Sequence, residues 1–275
     1  MSAQSRAFSV GYAASRIAAA MLATLAGASL AKADSWHATY NVSLIGLPIG
    51  TAGVVGEISA TSYRIEANAK ISGLASVLSN AKGAATGNGA IAPGRILSKS
   101  FATIATNSKT TRTVRMALAG GNVTGVDIAP PIEERPGRVP VSEQDKRGIV
   151  DPVGGIIIPI AGDGPMIGPA ACNRSIPVFD GYTRFDIRLT YVGQRQVAAK
   201  GYKGPVVVCS ARYVPISGHN PERAVTKFMA DNRQMEVWLA PIESARVLVP
   251  FRASVHTMIG TTVVEASEFS VVKSK

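Results

Sequence analysis

The chain has 275 residues, of which 46% are hydrophobic, 17% charged and 6% aromatic, with 27 glycines, 16 prolines and two cysteines. This composition excludes an intrinsically disordered chain, a collagen-like fibre and a small disulfide-dense scaffold. The formal net charge of +11 would suit a nucleic-acid partner in a cytosolic protein.

Residues 1–33 have the pattern of a cleaved export signal. Arg6 and Arg16 provide a basic start, residues 17–30 form an apolar stretch, and Ala31-Lys32-Ala33 fits the A-x-A cleavage pattern. A membrane anchor would need about 20 apolar residues, and this stretch is shorter. We therefore predict a mature chain that begins at Asp34 and is exported, to the bacterial periplasm.

Export changes the expected partners of this basic chain. The predicted signal carries three basic residues and no acidic one, so its removal lowers the net charge to +8. We expect anionic lipid, lipopolysaccharide or another envelope protein as partner, and no nucleic acid. The alternative is that the positive charge only keeps the protein soluble. No later stretch reaches membrane-spanning length, so we expect a chain that does not span the membrane.

The mature chain shows a period of two along most of its length. Tyr63, Ile65 and Ala67 alternate with Arg64 and Glu66, which is typical of a strand with one apolar and one wet face. The same alternation recurs at 114–118, 185–191, 207–213, 235–239 and 251–255. The sequence predicts a mostly β protein: a curled antiparallel sheet, open barrel or β-spiral, with one or a few short helices. We expect residues 34–275 to form a single β-rich domain, or two lobes joined around 129–170.

Two segments break this alternation. The proline-rich residues 129–141 predict an exposed extended loop. Asp151-Pro152 is a good helix start, and the apolar residues 156–158 predict a short helix that ends at Pro159. Further short helices are candidates near 74–79 and 221–226.

Cys172 and Cys209 are the two cysteines. An even number of cysteines in an exported chain favours a disulfide between them, with two buried free thiols as the alternative. Their wide separation in sequence argues against a C-x-x-C redox site, and no histidine lies near them to complete a zinc site.

The sequence gives little support for catalysis. Gly87-Asn88-Gly89-Ala90-Ile91-Ala92 matches a dinucleotide-binding pattern by letter, but Pro93-Gly94 follows at once and prevents the helix that would bind a pyrophosphate. Three histidines, at positions 37, 219 and 256, have no recognisable nucleophile beside them. We expect no cofactor, no metal site and no catalytic residues.

Several short motifs along the mature chain resemble one known family. They are Tyr40-Asn41-Val42-Ser43 with Ile49-Gly50, Asp151-Pro152, Pro177-Val178-Phe179-Asp180-Gly181 with Arg184-Phe185-Asp186, and Pro250-Phe251-Arg252 with Ile259-Gly260-Thr261. In this order they resemble the domain of unknown function 3108. The resemblance implies an exported bacterial envelope protein of antiparallel β architecture with no assigned activity. A weaker likeness joins the chain to periplasmic envelope-integrity β-spiral proteins and to lipoprotein-carrier sheets.

The favoured hypothesis is a non-enzymatic periplasmic envelope protein that binds a hydrophobic or amphiphilic envelope component. Small apolar residues on the alternating faces would leave room for a ligand inside a curled sheet. The candidate ligand-facing residues are Ile65, Ala67, Ile187, Leu189, Val237 and Phe251, with Arg184 and Arg188 on the opposite, wet face. One alternative is a structural or interaction protein for envelope integrity, whose sheet is plugged by the helix near 156–158. A less favoured alternative is an unrecognised hydrolase.

Overall fold

A computed structural model of the protein describes residues 33–72, 80–133 and 136–274. The predicted signal up to residue 32 and the helix candidate near 74–79 lie outside the described residues. The first seven strands are β1 (Asp34–Leu44), β2 (Leu47–Ile58), β3 (Ser62–Ile71), β4 (Lys82–Ala92), β5 (Arg95–Thr106), β6 (Thr111–Ala119) and β7 (Asn122–Ala129). Each pairs antiparallel with the next along the chain, so they form one continuous meander.

A second meander follows a long connection. Its elements are β8 (Ile158–Pro159), α1 (Pro169–Cys172), β9 (Arg174–Phe179), β10 (Arg184–Ala199), β11 (Tyr202–Ser217), α2 (Ala224–Asp231), β12 (Met235–Ile242), β13 (Val247–Thr257) and β14 (Gly260–Val272). The first and last strands of the described residues, β1 and β14, pair with each other, and this pairing unites the two meanders in one antiparallel sheet. The connection between them lies where the sequence placed the alternative boundary of two lobes.

Aromatic side chains pack where the two meanders meet. The ring centroids of Trp36 on β1 and Phe269 on β14 lie 6.1 Å apart, and Phe251 on β13 lies 6.0 Å from Phe269. All three are at most 1% exposed. Because aromatic rings contribute large buried areas, this cluster stabilises the β1–β14 pairing on which the whole sheet depends.

The sheet curls but does not close, and β7 and β9 are its two ends. Ile149 and Val150 lie across the gap between these ends. The Ile149 N–H donates to the Gly121 carbonyl in the β6–β7 turn, and the Val150 N–H donates to Pro177 on β9. These bonds satisfy backbone groups that an open edge would leave unpaired. The predicted class, a curled antiparallel sheet with few helices, is confirmed.

The chain then enters the interior of the curl. Asp151, Val153, Ile157 and Ile158 are all buried, and Ile158 begins β8, which pairs with β13. The predicted helix is wrong in type, because the structure has only one turn of 3₁₀-helix at Gly154–Ile156. Two glycines weaken helix formation at this point, and pairing with β13 draws the next residues into an extended conformation.

The structure describes the helix candidate near 221–226 and most of the proline-rich loop predicted at 129–141. The helix α2 overlaps the candidate near 221–226. The proline-rich segment is docked as well as exposed, because Val139 exchanges backbone hydrogen bonds with Gly218 and His219.

The structure places one predicted surface residue differently from the sequence analysis. The Arg184 side chain is only 13% exposed and pairs with Asp186 at 2.5 Å, so its predicted place on a wet face is wrong. Arg188 is exposed as predicted.

Candidate functional site

A cavity of about 950 Å³ opens between the inner face of β2–β6 and the segment that enters the curl. Such a volume lies at the upper end of the range for small-molecule sites. Apolar side chains supply most of its wall. They include Val42, Ile49, Ala67, Ala69, Ile71, Ala85, Phe101, Ala105, Val114, Val153 and Ile156.

The cavity exists because the inner face of this part of the sheet carries small residues. Ala67 on β3 lies directly opposite Ala85 on β4, and Ala69 lies opposite Gly83. Larger β-branched side chains at these positions would fill the space, as Ile65 does deeper in the same strand. The ends of β3–β6 therefore form the wall of the large cavity.

Residues 151–156, which we call the inner segment, form the opposite wall, and a buried hydrogen-bond network holds them in place. Asp151 Oδ1 accepts the N–H groups of Val153 and Gly154 at 2.8 and 2.9 Å, and Oδ2 accepts the hydroxyls of Ser98 at 2.5 Å and Tyr63 at 3.2 Å. The Asp151 N–H in turn donates to Ser98 Oγ. Burial raises the pKa of the Asp151 carboxyl, and these hydrogen bonds oppose that rise. The network fixes the segment to β3 and β5.

Two glycines of β4 make room for this network. A Cβ on Gly87 would lie 2.8 Å from Val153 Cβ, and one on Gly89 would lie 2.8 Å from the Tyr63 ring. Both distances are shorter than van der Waals contact. The G-x-G pattern of the sequence therefore serves close packing of β4 against Tyr63 and the inner segment.

One arginine points to the cavity from within the sheet. Arg112 alternates with Val114 and Met116 on the inner face of β6, and it lies opposite Ala105 one position from the strand end. Its Nε is buried and has no hydrogen-bond partner among the described residues. A buried guanidinium donor without an acceptor is costly. Arg112 is therefore positioned to bind an anionic group of a molecule in the cavity.

Two lysines extend this positive charge along the rim. Lys70 and Lys82 border the cavity but are exposed on the outer face, where they alternate with Ala69 and Gly83, and they are directly paired across β3 and β4. Like charges at paired positions of a sheet repel each other. An anion at the rim would relieve that repulsion.

Asp180, in the turn between β9 and β10, is the acidic residue of the cavity wall. Its Oδ1 accepts the N–H groups of Tyr182 at 3.0 Å and Thr183 at 2.7 Å. Burial raises the pKa of Asp180, although these hydrogen bonds and the charge of Arg138 oppose the rise. Asp180 Oδ1 is thus engaged by the backbone of its own turn, whereas Arg112 Nε, on the cavity wall, has no hydrogen-bond partner among the described residues.

The six residues that the sequence predicted to face a ligand lie in three different places. Ala67 lines the large cavity. Ile187, Leu189 and Val237 line a second, apolar cavity of about 230 Å³ on the far side of the inner segment. Ile65 and Phe251 are fully enclosed in the packed core.

The inner segment thus divides the interior, and Ile156 contacts both cavities. Sequence reasoning missed Arg112, although its alternation with Val114 and Met116 was a readable signal that it faces inward.

The described residues give little basis for catalysis or a metal. Within residues 33–72, 80–133 and 136–274 no group of three His, Cys, Asp or Glu side chains is placed to hold a metal ion. His256 Nδ1 lies 3.2 Å from Thr261 Oγ1, and His37 is exposed on β1. In this part of the chain no histidine ring is hydrogen-bonded to a serine, cysteine or aspartate side chain. None of the helices described is long and apolar enough to cross a membrane.

Comparison with known families supports the resemblance noted in the sequence. The model of a family of proteins of unknown function, DUF3108, matches residues 39–267. The chain belongs to this family. The match begins within β1 and ends within β14, so it covers nearly all of the curled sheet. No curated protein matches the chain.

A solved structure shares the fold of this DUF3108 protein. It is a β-barrel-like protein of domain of unknown function DUF1849 from Brucella abortus, with a TM-score of 0.51 and 11% sequence identity. The alignment covers 88% of this chain and 100% of the other. At this identity the likeness concerns the fold alone.

Proposed function

We propose that this protein is a non-enzymatic, exported binder of an amphiphile with an apolar chain and an anionic head group. The observation that carries the proposal is an apolar cavity of about 950 Å³ with Arg112 on its wall, whose buried Nε has no hydrogen-bond partner among the described residues. The apolar chain lies along Ala67, Ala85 and Ile156, and the head group contacts Arg112 near the rim.

The energetics favour such a ligand over a fully polar one. Each methylene transferred from water into the cavity contributes about 0.8 kcal/mol. One hydrogen bond from a buried guanidinium to an anion adds about 1.5–3 kcal/mol. Export to the periplasm is supported by the signal-like N-terminus and the buried Cys172–Cys209 disulfide, since such bonds persist in oxidising compartments.

Filling the cavity tests the proposal. Delipidated protein is titrated with a long-chain fatty acid and binding is followed by native mass spectrometry. Ala85→Trp should weaken binding at least about tenfold, because the indole occupies the space of the apolar chain. The matched control is Ala84→Trp, since Ala84 is the next residue of β4 and faces outward. Equal binding by both variants, or no binding by the wild type, would contradict the proposal.

Arg112 tests the anionic head group separately. Arg112→Gln should weaken fatty-acid binding about tenfold or more and leave a neutral monoacylglycerol of equal chain length almost unaffected. Arg115→Gln is the control, because Arg115 lies on the outer face of the same strand and pairs with Asp127. A uniform loss for both ligands would mean that Arg112 supports the wall and does not recognise charge.

A further inference from the structure

Two neighbouring hairpins at the open end of the curl carry exposed apolar side chains. The β1–β2 hairpin presents Ile45 and Leu47, and the β13–β14 hairpin presents Met258 and Ile259. We call these four residues the apolar tip. Ile45 is 67% exposed and Ile259 is 71% exposed. The two hairpins touch, because the Ile45 N–H donates to the Thr261 carbonyl at 2.9 Å.

The backbone at Ile45 makes this exposure more informative. Leu44 pairs with Leu47, so Ile45 and Gly46 form a two-residue turn, with φ of 52° and 78°. Such turns favour Asn-Gly because both residues need positive φ, and a β-branched residue there is strained. The Ile45 side chain lies over Gly260 of the β13–β14 hairpin, where an added Cβ would overlap Ile45 Cγ1, yet Ile45 remains mostly exposed. Strain held at a residue that stays this exposed points to a role in contact with a partner.

The surroundings of the apolar tip indicate what that partner is. The cavity reaches Val42 and Ile49 in the arms of the β1–β2 hairpin, so its rim lies at the same end of the sheet. Lys70, Lys82 and Lys109 lie on the next hairpins at this end, and Lys109 is exposed. Apolar side chains flanked by lysines complement a layer whose interior is apolar and whose surface is negative.

We infer that the apolar tip docks onto the surface of an anionic phospholipid bilayer, with the cavity rim facing the lipid. The apolar tip enters the acyl boundary and the flanking lysines contact the head groups. This docking goes beyond the proposed function and does not require a filled cavity.

Vesicle binding tests the inference. Full-length mature protein should sediment with vesicles of phosphatidylcholine and phosphatidylglycerol, and less with phosphatidylcholine alone. Ile45→Asn should weaken binding about tenfold while the melting temperature stays equal or rises, because asparagine suits the turn. If the melting temperature is equal or higher, weaker vesicle binding by this variant reflects loss of docking and not loss of structure.

A tryptophan probe and matched controls complete the test. Ile259→Trp should shift its emission to the blue on anionic vesicles, whereas Val272→Trp, exposed at the other end of β14, should not. Ala85→Trp, which blocks the cavity, should still bind vesicles, so failure of cavity binding and failure of docking are distinguishable. Wild-type protein that ignores anionic vesicles, or dimerises through Ile45 instead, would overturn the inference.

Discussion

At the scale of single residues, Asp151 shows how one side chain can organise an interior. It caps a turn that is too short to be a stable helix and binds two hydroxyls from strands of the sheet. The sequence identified Asp151 correctly as a capping residue, because Asp-Pro before an apolar stretch is a local signal. Tyr63 and Ser98, its partners, lie 88 and 53 residues away in the chain. No local pattern could reveal them.

The raised pKa of Asp151 predicts a pH dependence of stability. Below the ordinary value of 3.8 the carboxyl is protonated in both the folded and unfolded states. As the pH rises above this value the unfolded chain releases the proton first, which favours unfolding until the folded pKa is passed. The unfolding free energy of the wild type, measured relative to Asp151→Asn, should therefore fall as the pH rises from about 3.8.

Urea denaturation over a pH series measures this difference. Asp127→Asn, on the exposed face of β7, corrects for the loss of one negative charge elsewhere. A relative stability that rises with pH over the same range would show that the hydrogen bonds outweigh burial and lower the folded pKa.

At the scale of elements, strand β4 shows what alternation predicts and what it misses. Alternating faces are a property of any strand, so the inner and outer positions of β3, β6 and β11 were readable from the sequence. The glycines of β4 carry no such signal, and by letter they resembled a dinucleotide-binding loop. Their role depends on Tyr63 and on the inner segment, which approach from distant parts of the chain.

The close approach at Gly87 gives a direct prediction. Gly87→Ala should lower the unfolding free energy by about 1–3 kcal/mol, because the new methyl group would overlap Val153. Gly125→Ala is the matched control in β7, where a Cβ meets nothing within 4 Å, and it should change stability by less than about 0.5 kcal/mol. Chemical denaturation of both variants measures the difference. Equal values would mean that the inner segment shifts freely away from β4.

At the scale of the whole molecule, the curl is built by a contact between the two ends of the described chain. The β1–β14 pairing unites two meanders, and the inner segment divides the space they enclose. A curled sheet followed from the many short alternating strands. The division of its interior into two cavities did not follow from the sequence, because the predicted helix near residue 156 could equally have filled the whole space. Small residues on β3 and β4 decide that one side stays open.

The disulfide lies on the other side of this division, beside the smaller cavity. Cys172 and Cys209 are both buried among Ile158, Leu189 and Leu248, with their Cα atoms 5.5 Å apart. The bond links α1 to β11 across 37 residues. It therefore restrains the second meander and its connection, whereas Asp151 holds the wall of the large cavity.

This separation predicts that stability and ligand binding respond differently to loss of the disulfide. The double variant Cys172→Ala, Cys209→Ala should lower the unfolding free energy by about 2–4 kcal/mol, because the unfolded chain loses a loop constraint. Its fatty-acid dissociation constant should change by less than about twofold, since the residues lining the large cavity lie outside the disulfide cluster. Denaturation and native mass spectrometry on the same preparation measure both quantities. A parallel loss of binding would show that the two halves of the interior are mechanically coupled through Ile156, the residue that contacts both cavities.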